Sequence, residues 1–316
     1  MARLPRGGAD AMVIRTFAHL DAAMAVRPPL RPAVAGADDA ATLTALADAL
    51  GTGRISGAVL VGDAEAITRL LPQSLDGKVV ILPARDATEA AALAVAAIRA
   101  GEADVLVKGS VDSAAYLRAV VAREAGLRAS DVLSNVTLAE MPSLPRLIGA
   151  TDNGIVVLPT LEQKRAILRN AVPLFAGLGV SPLRVAAIAA SEKVHPSQPA
   201  TTDAAALRDE WAMGSGSVLV DGPFGYDVAL SSAAAAKKGF AASLVAGQAD
   251  LILFPSIEAG NATVKAWKLH GQARTASIVM GARVPVLLNS RADGPEQRRF
   301  GLLLAAAVLA GQGGKP

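Results

Sequence analysis

Residues 57–83, GAVLVGDAEAITRLLPQSLDGKVVILP, decide the fold. An apolar run, GAVLVG, meets Asp63, a stretch of helical composition follows, and a second apolar run, KVVILP, closes the unit. Short apolar runs without polar alternation suit strands buried on both faces, and a helix between two such strands makes them parallel. Asp63 stands where a helix N-cap belongs, ahead of 64–71.

The same unit recurs outward. ADVLVKG (103–109), GIVVLP (154–159), RVAAIAA (184–190), SVLVDG (217–222), DLILFP (250–255) and VPVLLN (284–289) read as further strands between alanine-rich helices. Asp38 is expected to cap 39–51 and Asp86 to cap 87–100. The fold expected is α/β, with mostly parallel sheets flanked by helices. The N-terminal stretch through VRPPLRP (26–32) reads as a helix and a stiff linker. AEMPSLPRLIGATDNG (139–154) interrupts the alternation with prolines and glycines, which marks a domain boundary.

Composition narrows the function. Of 316 residues 52% are hydrophobic but only 3% aromatic, so the core is aliphatic and base-stacking platforms have little material. Lys and Arg number 31 against 28 for Asp and Glu, with no block of like charge to form a nucleic-acid groove or membrane patch. The lack of cysteine excludes disulfides, thiolate metal sites and a cysteine nucleophile, and fits a reducing compartment. His19, His195 and His270 have no metal-ligand spacing. GTGRISG (51–57) precedes a strand rather than following one, so it fails as a dinucleotide fingerprint. Asp10, Arg15 and Asp21 break any signal-peptide core, and GLLLAAAVLA (301–310) is too short to span a bilayer. A soluble cytoplasmic protein is expected, with neither nucleic acid nor membrane as partner.

Ligands of open parallel sheets gather beyond the carboxyl ends of strands. That rule selects Lys108, Asp221, Ser256 and the Ser290–Arg291 pair. In LLNSRADGPEQRR (287–299), Asp293 reads as a helix N-cap, with Glu296 at the third helical position reaching back to it. A cap leaves Arg291 unexplained. A guanidinium at a strand end, just before a helix N-terminus, has the geometry to hold phosphate, and Ser290 adds a hydroxyl. Asp227 reads as the cap of an alanine-rich helix that ends at Lys237-Lys238-Gly239. Glu258, Asn261 and Lys265 share one helix face. Gly260 within that helix is unfavourable by about 1 kcal/mol relative to alanine, so something is expected to approach it closely.

Taken together, several segments resemble the phosphate acetyltransferase and phosphate butyryltransferase family. They are LVGDAEAI (60–67), LVKGSVDSAAYLRAVV (106–121), LSNVTL (133–138), TDNGIVVLPTLEQKRAILRNAV (151–172), ASEKVHPSQPATTDAAAL (190–207), VDGPFGYDVALS (220–231), AGQADLILFPSIEAGNATVKAW (246–267) and PVLLNSRAD (285–293). The resemblance spans roughly 31–310. It implies two α/β domains with the active cleft between them. One would comprise 1–146 plus 284–316, completed by the C-terminal strand and helix, and the other 147–283. It also implies a homodimer and a cofactor-free, metal-independent reaction, acyl-CoA plus phosphate giving acyl phosphate plus CoA.

In that family Ser290 and Arg291 match the phosphate-holding pair. Butyryl-type members place an aspartate where Asp293 stands, while the acetyl-type pattern puts the catalytic aspartate where this chain has Gln297. Asp293 is therefore the expected base, with Glu296 as a substitute. Lys108, Ser134, Asp221, Glu258 and Asn261 match positions that line the cleft. Ser256 departs from the usual aspartate. That departure and Gln297 keep open a catalytically impaired, acyl-CoA-binding paralogue. A metal-dependent dehydrogenase of the isocitrate or isopropylmalate type is the other alternative; it needs clustered aspartates, a spacing that Asp221, Asp227 and Asp250 do not show.

Overall fold

The computed structural model describes residues 13–212, 216–288 and 293–313. The strands are β1 Pro32–Ala35, β2 Ala58–Gly62, β3 Val79–Pro83, β4 Val105–Lys108, β5 Ser134–Glu140, β6 Ile148–Thr151, β7 Leu183–Ile188, β8 Val218–Phe224, β9 Leu251–Leu253, β10 Arg274–Met280 and β11 Val286–Leu287. The helices are α1 Phe17–Met24, α2 Ala40–Gly51, α3 Ala64–Leu70, α4 Ala87–Arg99, α5 Ser113–Val121, α6 Leu161–Gly177, α7 Pro199–Ala212, α8 Tyr226–Leu230, α9 Ser232–Lys237, α10 Ile257–Leu269 and α11 Pro295–Gly311. The strands form one continuous sheet in the order β3-β2-β1-β4-β11-β10-β5-β6-β9-β7-β8.

Two parallel blocks, β3-β2-β1-β4-β11 and β6-β9-β7-β8, are separated by β10 and β5. Pairing is antiparallel at β11/β10, β10/β5 and β5/β6, so the two blocks run in opposite directions. The side chains account for the difference. In β2, Ala58 and Leu60 pack into one apolar cluster and Val59 and Val61 into another, on the two faces of the sheet. In β5 and β10, Val136, Leu138, Ala276, Ile278 and Met280 enter the first cluster, while Asn135, Thr137 and Ser277 face the other way. One-sided polarity is a property of antiparallel strands.

Helices α6 and α11 cover the apolar side of β5 and β10. Ile167, Leu168 and Leu174 meet Phe300, Leu303, Leu304 and Ala307 in that core. A Cβ on Gly177 would lie 1.8 Å from the Ala307 carbonyl oxygen, and one on Gly311 would lie 1.9 Å from that of Pro173. Only glycine permits this approach of the two helices.

Several sequence expectations hold: Asp63 and Asp86 cap α3 and α4. Others do not. Asp39, not Asp38, caps α2, accepting from the Thr42 N–H at 2.8 Å; Asp38 instead accepts from the Ser110 hydroxyl, tying the ends of β1 and β4. The N-cap of α11 is Gly294 rather than Asp293, and Gln297 rather than Glu296 reaches back, accepting the Gly294 N–H at 3.1 Å. The expected alanine-rich helix is split into α8 and α9, because Ser231 caps a new start by accepting from the Ala234 N–H. Asp227 lies in the first turn of α8 and pairs with Lys238 at 3.1 Å. Residues 154–159 form no strand. The Asp152 carboxylate takes the N–H groups of Gly154 and Ile155, at 2.7 and 2.9 Å, and bends the chain away from the sheet. The tract 139–154 forms the β5/β6 turn and strand β6 within the sheet, and β10 lies between β11 and β5.

Candidate active site

The polar side of the central strands lies where the two parallel blocks meet. Strand pairing sets Leu106, Val286, Val279 and Asn135 in one row across β4, β11, β10 and β5. Two residues further along β4, on the same face, comes Lys108; the matching step on β10 and β5 gives Ser277 and Thr137. Lys108 is only 4% exposed, and its Nζ donates to the Gly109 carbonyl at 3.2 Å.

Hydroxyls and amides join beside it. Asn135 Nδ2 donates to Asn153 Oδ1 at 2.8 Å, Asn153 Nδ2 to Thr137 Oγ1 at 2.9 Å, and the Thr137 and Ser277 hydroxyls are 2.7 Å apart. Asp152, 1% exposed, holds the loop that carries Asn153; besides Gly154 and Ile155 it accepts the Asn135 N–H at 3.0 Å. Burial pushes its carboxyl above the usual range, against the opposing pull of these N–H bonds. Helix α10 docks on the same loop. A Cβ on Gly260 would be 2.6 Å from the Asp152 carbonyl oxygen and 2.9 Å from Asn153 Cβ. This contact accounts for the glycine. Asn261 Nδ2 reaches the Asn153 carbonyl at 3.3 Å, and Ser256 serves as the N-cap of α10.

The arrangement concentrates donors and one buried cation around a short stretch of chain, a combination suited to an oxyanion. Among the described residues, no three His, Cys, Asp or Glu side chains come together as a metal ion would require.

The family described as Phosphate acetyl/butaryl transferase matches residues 77–306. The chain belongs to that family. It is 39% identical to a probable phosphate butyryltransferase of Bacillus subtilis over 78% of this chain and 83% of that protein. It is 36% identical to a phosphate acetyltransferase of Thermotoga maritima, over 80% of this chain and 86% of the other. Among solved structures, a branched-chain phosphotransacylase of Enterococcus faecalis superposes with a TM-score of 0.79 at 25% identity, covering 88% of this chain and 99% of that one. The protein is an acyltransferase of the phosphate acetyl/butyryl transferase family.

The structure gathers some of the expected site residues of this acyltransferase and disperses others. Ser290 and Arg291 lie outside the described residues, between Leu288 and Asp293. Lys108 is on the polar face, and Asn261 joins the Asn153 loop. Glu258 is exposed in the first turn of α10, where its own backbone N–H and the Ser256 hydroxyl hold its carboxyl below the usual range. Asp293 is half-buried ahead of α11. Ser134 is fully buried on the opposite face, accepting from Asn170 Nδ2 of α6 at 3.2 Å. Glu296 is 3.1 Å from Arg274, which points toward that same opposite face. Asp221 belongs to β8 at the far edge of the sheet and bonds the Gly222 N–H and the Ser243 hydroxyl at 2.7 and 2.5 Å.

Asn135, Thr137, Asp152, Asn153 and Ser277 were not selected from the sequence. For Asn135 and Thr137 the signal was the alternation in SNVTLAE (134–140), which sets polar residues on one face amid otherwise apolar strands.

Proposed function

We propose that this acyltransferase moves an acyl group between coenzyme A and inorganic phosphate: acyl-CoA + phosphate = acyl phosphate + CoA. The observation that carries the reading is the donor-rich face of β5 and β10 beside Lys108, at the strand end from which the chain runs into Ser290 and Arg291. A phosphate oxygen attacks the thioester carbonyl carbon, a tetrahedral oxyanion forms, and the C–S bond breaks to release the thiolate. Phosphate is already a nucleophile, so the protein contributes position and charge compensation. Arg291 and Ser290 hold the phosphate, and Lys108 supplies a second cation. No metal or cofactor is needed for these steps. In reverse, the CoA thiol must lose a proton, because a thiol of pKa near ~8.5 is only a few per cent thiolate at neutral pH. Asp293 takes that proton.

The two parallel blocks of the sheet are the two lobes of this reading, and the reaction lies between them. The acyl group is short, acetyl or butyryl, since the relatives carry both names. The working unit is a cytoplasmic homodimer. An apolar groove lined by Leu144, Tyr226, Leu230 and Trp267 supports association of two copies. No helix among the described residues is long and apolar enough to cross a membrane.

The test is thiol release from acetyl-CoA and butyryl-CoA with phosphate present. Arg291→Ala should lower kcat/KM for phosphate by about 10²-fold or more with the melting temperature unchanged. Asp293→Asn should lower the reverse rate by roughly 10²-fold. The N-cap of α11 is Gly294, and an unchanged melting temperature in Asp293→Asn would separate a lost base from a damaged helix start. Wild-type binding of CoA without turnover of either thioester would favour the impaired paralogue, and unchanged kinetics in Arg291→Ala would remove the arginine from the site.

A further inference from the structure

A second charged cavity lies at the amino-terminal ends of β6, β7 and β9, the reverse of the end where Asn153 and Ser256 follow β6 and β9. Its volume is about 290 Å³, and it opens between residues 13–15, the last turn of α6 and the starts of those strands. Arg15, Arg146 and Arg184 line it, with Asp250 as the one carboxylate among the described residues.

The ion pairing is incomplete. Arg184 Nε stands 3.7 Å from Asp250 Oδ2, and its Nη1 donates to Gln248 Oε1 at 3.0 Å. Asp250 Oδ2 also accepts the Arg184 backbone N–H at 3.1 Å. Arg146, half-buried, donates through Nε and Nη2 to the Ala249 carbonyl at 3.3 and 3.1 Å, a neutral acceptor. Burial lowers its pKa; Asp250 opposes that fall, and the Arg184 and Arg15 charges add to it. Arg15 is exposed at the rim, anchored by the neighbouring Ile14 N–H, which donates to the Leu178 carbonyl at 2.9 Å. Among the described residues, three guanidiniums thus share one carboxylate, leaving two positive charges around the cavity. Ordinary folding gains nothing from that crowding, since like charges near one another oppose burial.

The geometry points to this cavity as a binding site for a small organic dianion, separate from the acyl-transfer site. Guanidinium forks match phosphate or carboxylate oxygens in pairs, and exposed Val13 with half-buried Val180 and Pro182 provides apolar surface for a short carbon skeleton. The inference does not depend on the reaction proposed above.

Titration calorimetry on the full chain tests it, with glycerol 3-phosphate and succinate as separate probes to distinguish a phosphate monoester from a dicarboxylate. At least one probe should bind, weaken roughly tenfold or more in Arg15→Ala and in Arg146→Gln, and keep its affinity in Arg291→Ala. Arg15 is exposed, so its variant stays informative if Arg146→Gln does not fold. Affinity lost in Arg291→Ala but kept in Arg15→Ala would place the anion in the reaction site and overturn the inference. So would failure of both probes to bind the wild type.

Discussion

Asp152 stands where local geometry and chemistry meet. One carboxylate, almost without solvent, satisfies the backbone N–H groups of Asn135, Gly154 and Ile155. It thereby ends the β6 direction and presents Asn153 to Thr137. Replacing it with asparagine keeps an acceptor for Gly154 and Ile155 but sets an amide against the Asn135 N–H. A donor left facing a donor in a buried site costs about 1–3 kcal/mol, so Asp152→Asn should lower stability at neutral pH by that order. The pH dependence has a definite sign. Burial raises the folded-state pKa above the unfolded 3.8, so the folded form holds the proton more tightly. Its contribution to stability is greatest in acid and is lost as pH rises from near that value through the raised one. The advantage of wild type over Asp152→Asn should therefore narrow as the pH rises. Urea melts of both proteins at pH steps from 4 to 7 measure it, and a gap that widens would contradict the burial argument.

At the scale of elements, Gly260 sets two effects against each other. Glycine in a helix is about 1 kcal/mol worse than alanine, so Gly260→Ala would stabilise α10 in isolation. Here the added carbon falls 2.6 Å from a backbone oxygen, which cannot swing aside as a side chain can. Overpacking of that kind costs about 1–3 kcal/mol and wins. The variant should melt lower and turn over more slowly as α10 is pushed off the Asn153 loop. Gly51→Ala at the end of α2, where a new Cβ meets nothing within 4 Å, is the control and should be neutral or slightly stabilising. Equal effects of the two changes would mean that the contact with Asp152 does not matter. The same balance explains which elements were legible in the sequence. Most parallel strands announce themselves by apolar runs, as at 57–63 and 78–86, each with an aspartate behind it; β1, four residues that begin at the last proline of VRPPLRP, is not among those read. The central strands β5 and β10 alternate, so they carry no such run, and β6 is hidden among prolines and glycines. Residues 154–159 carry the run but are diverted by Asp152, an effect that requires knowing where its carboxylate points. In the site, Lys108 followed from the strand-end rule. Ser134 matched by family pattern alone, and a one-residue step along β5 separates Ser134 on the α6 face from Asn135 on the polar one; Glu296 followed from reading Asp293 as the cap, a position that Gly294 takes.

For the whole molecule, the chain closes on itself through its last helix. β11 inserts beside β4, and α11 then covers β5 and β10, strands contributed by distant parts of the sequence. Phe300 stacks on Phe17 of α1 at 4.1 Å between ring centroids, so the first helix depends on the last. Phe300, Leu303, Leu304, Ala307 and Val308 are almost wholly buried. At ~2 kcal/mol for each of the larger side chains, their burial contributes roughly 8 kcal/mol, comparable with the ~5–15 kcal/mol net stability of a folded domain. Truncation before Pro295 should thus abolish cooperative folding of the whole sheet, rather than loosen one end. It would expose Val136, Leu138, Ile278 and Met280 together, an apolar surface that drives association. The expected result is insoluble protein, or soluble material without a thermal transition. A truncated chain that stays soluble and melts cooperatively would mean that the two parallel blocks fold without the helix that joins them.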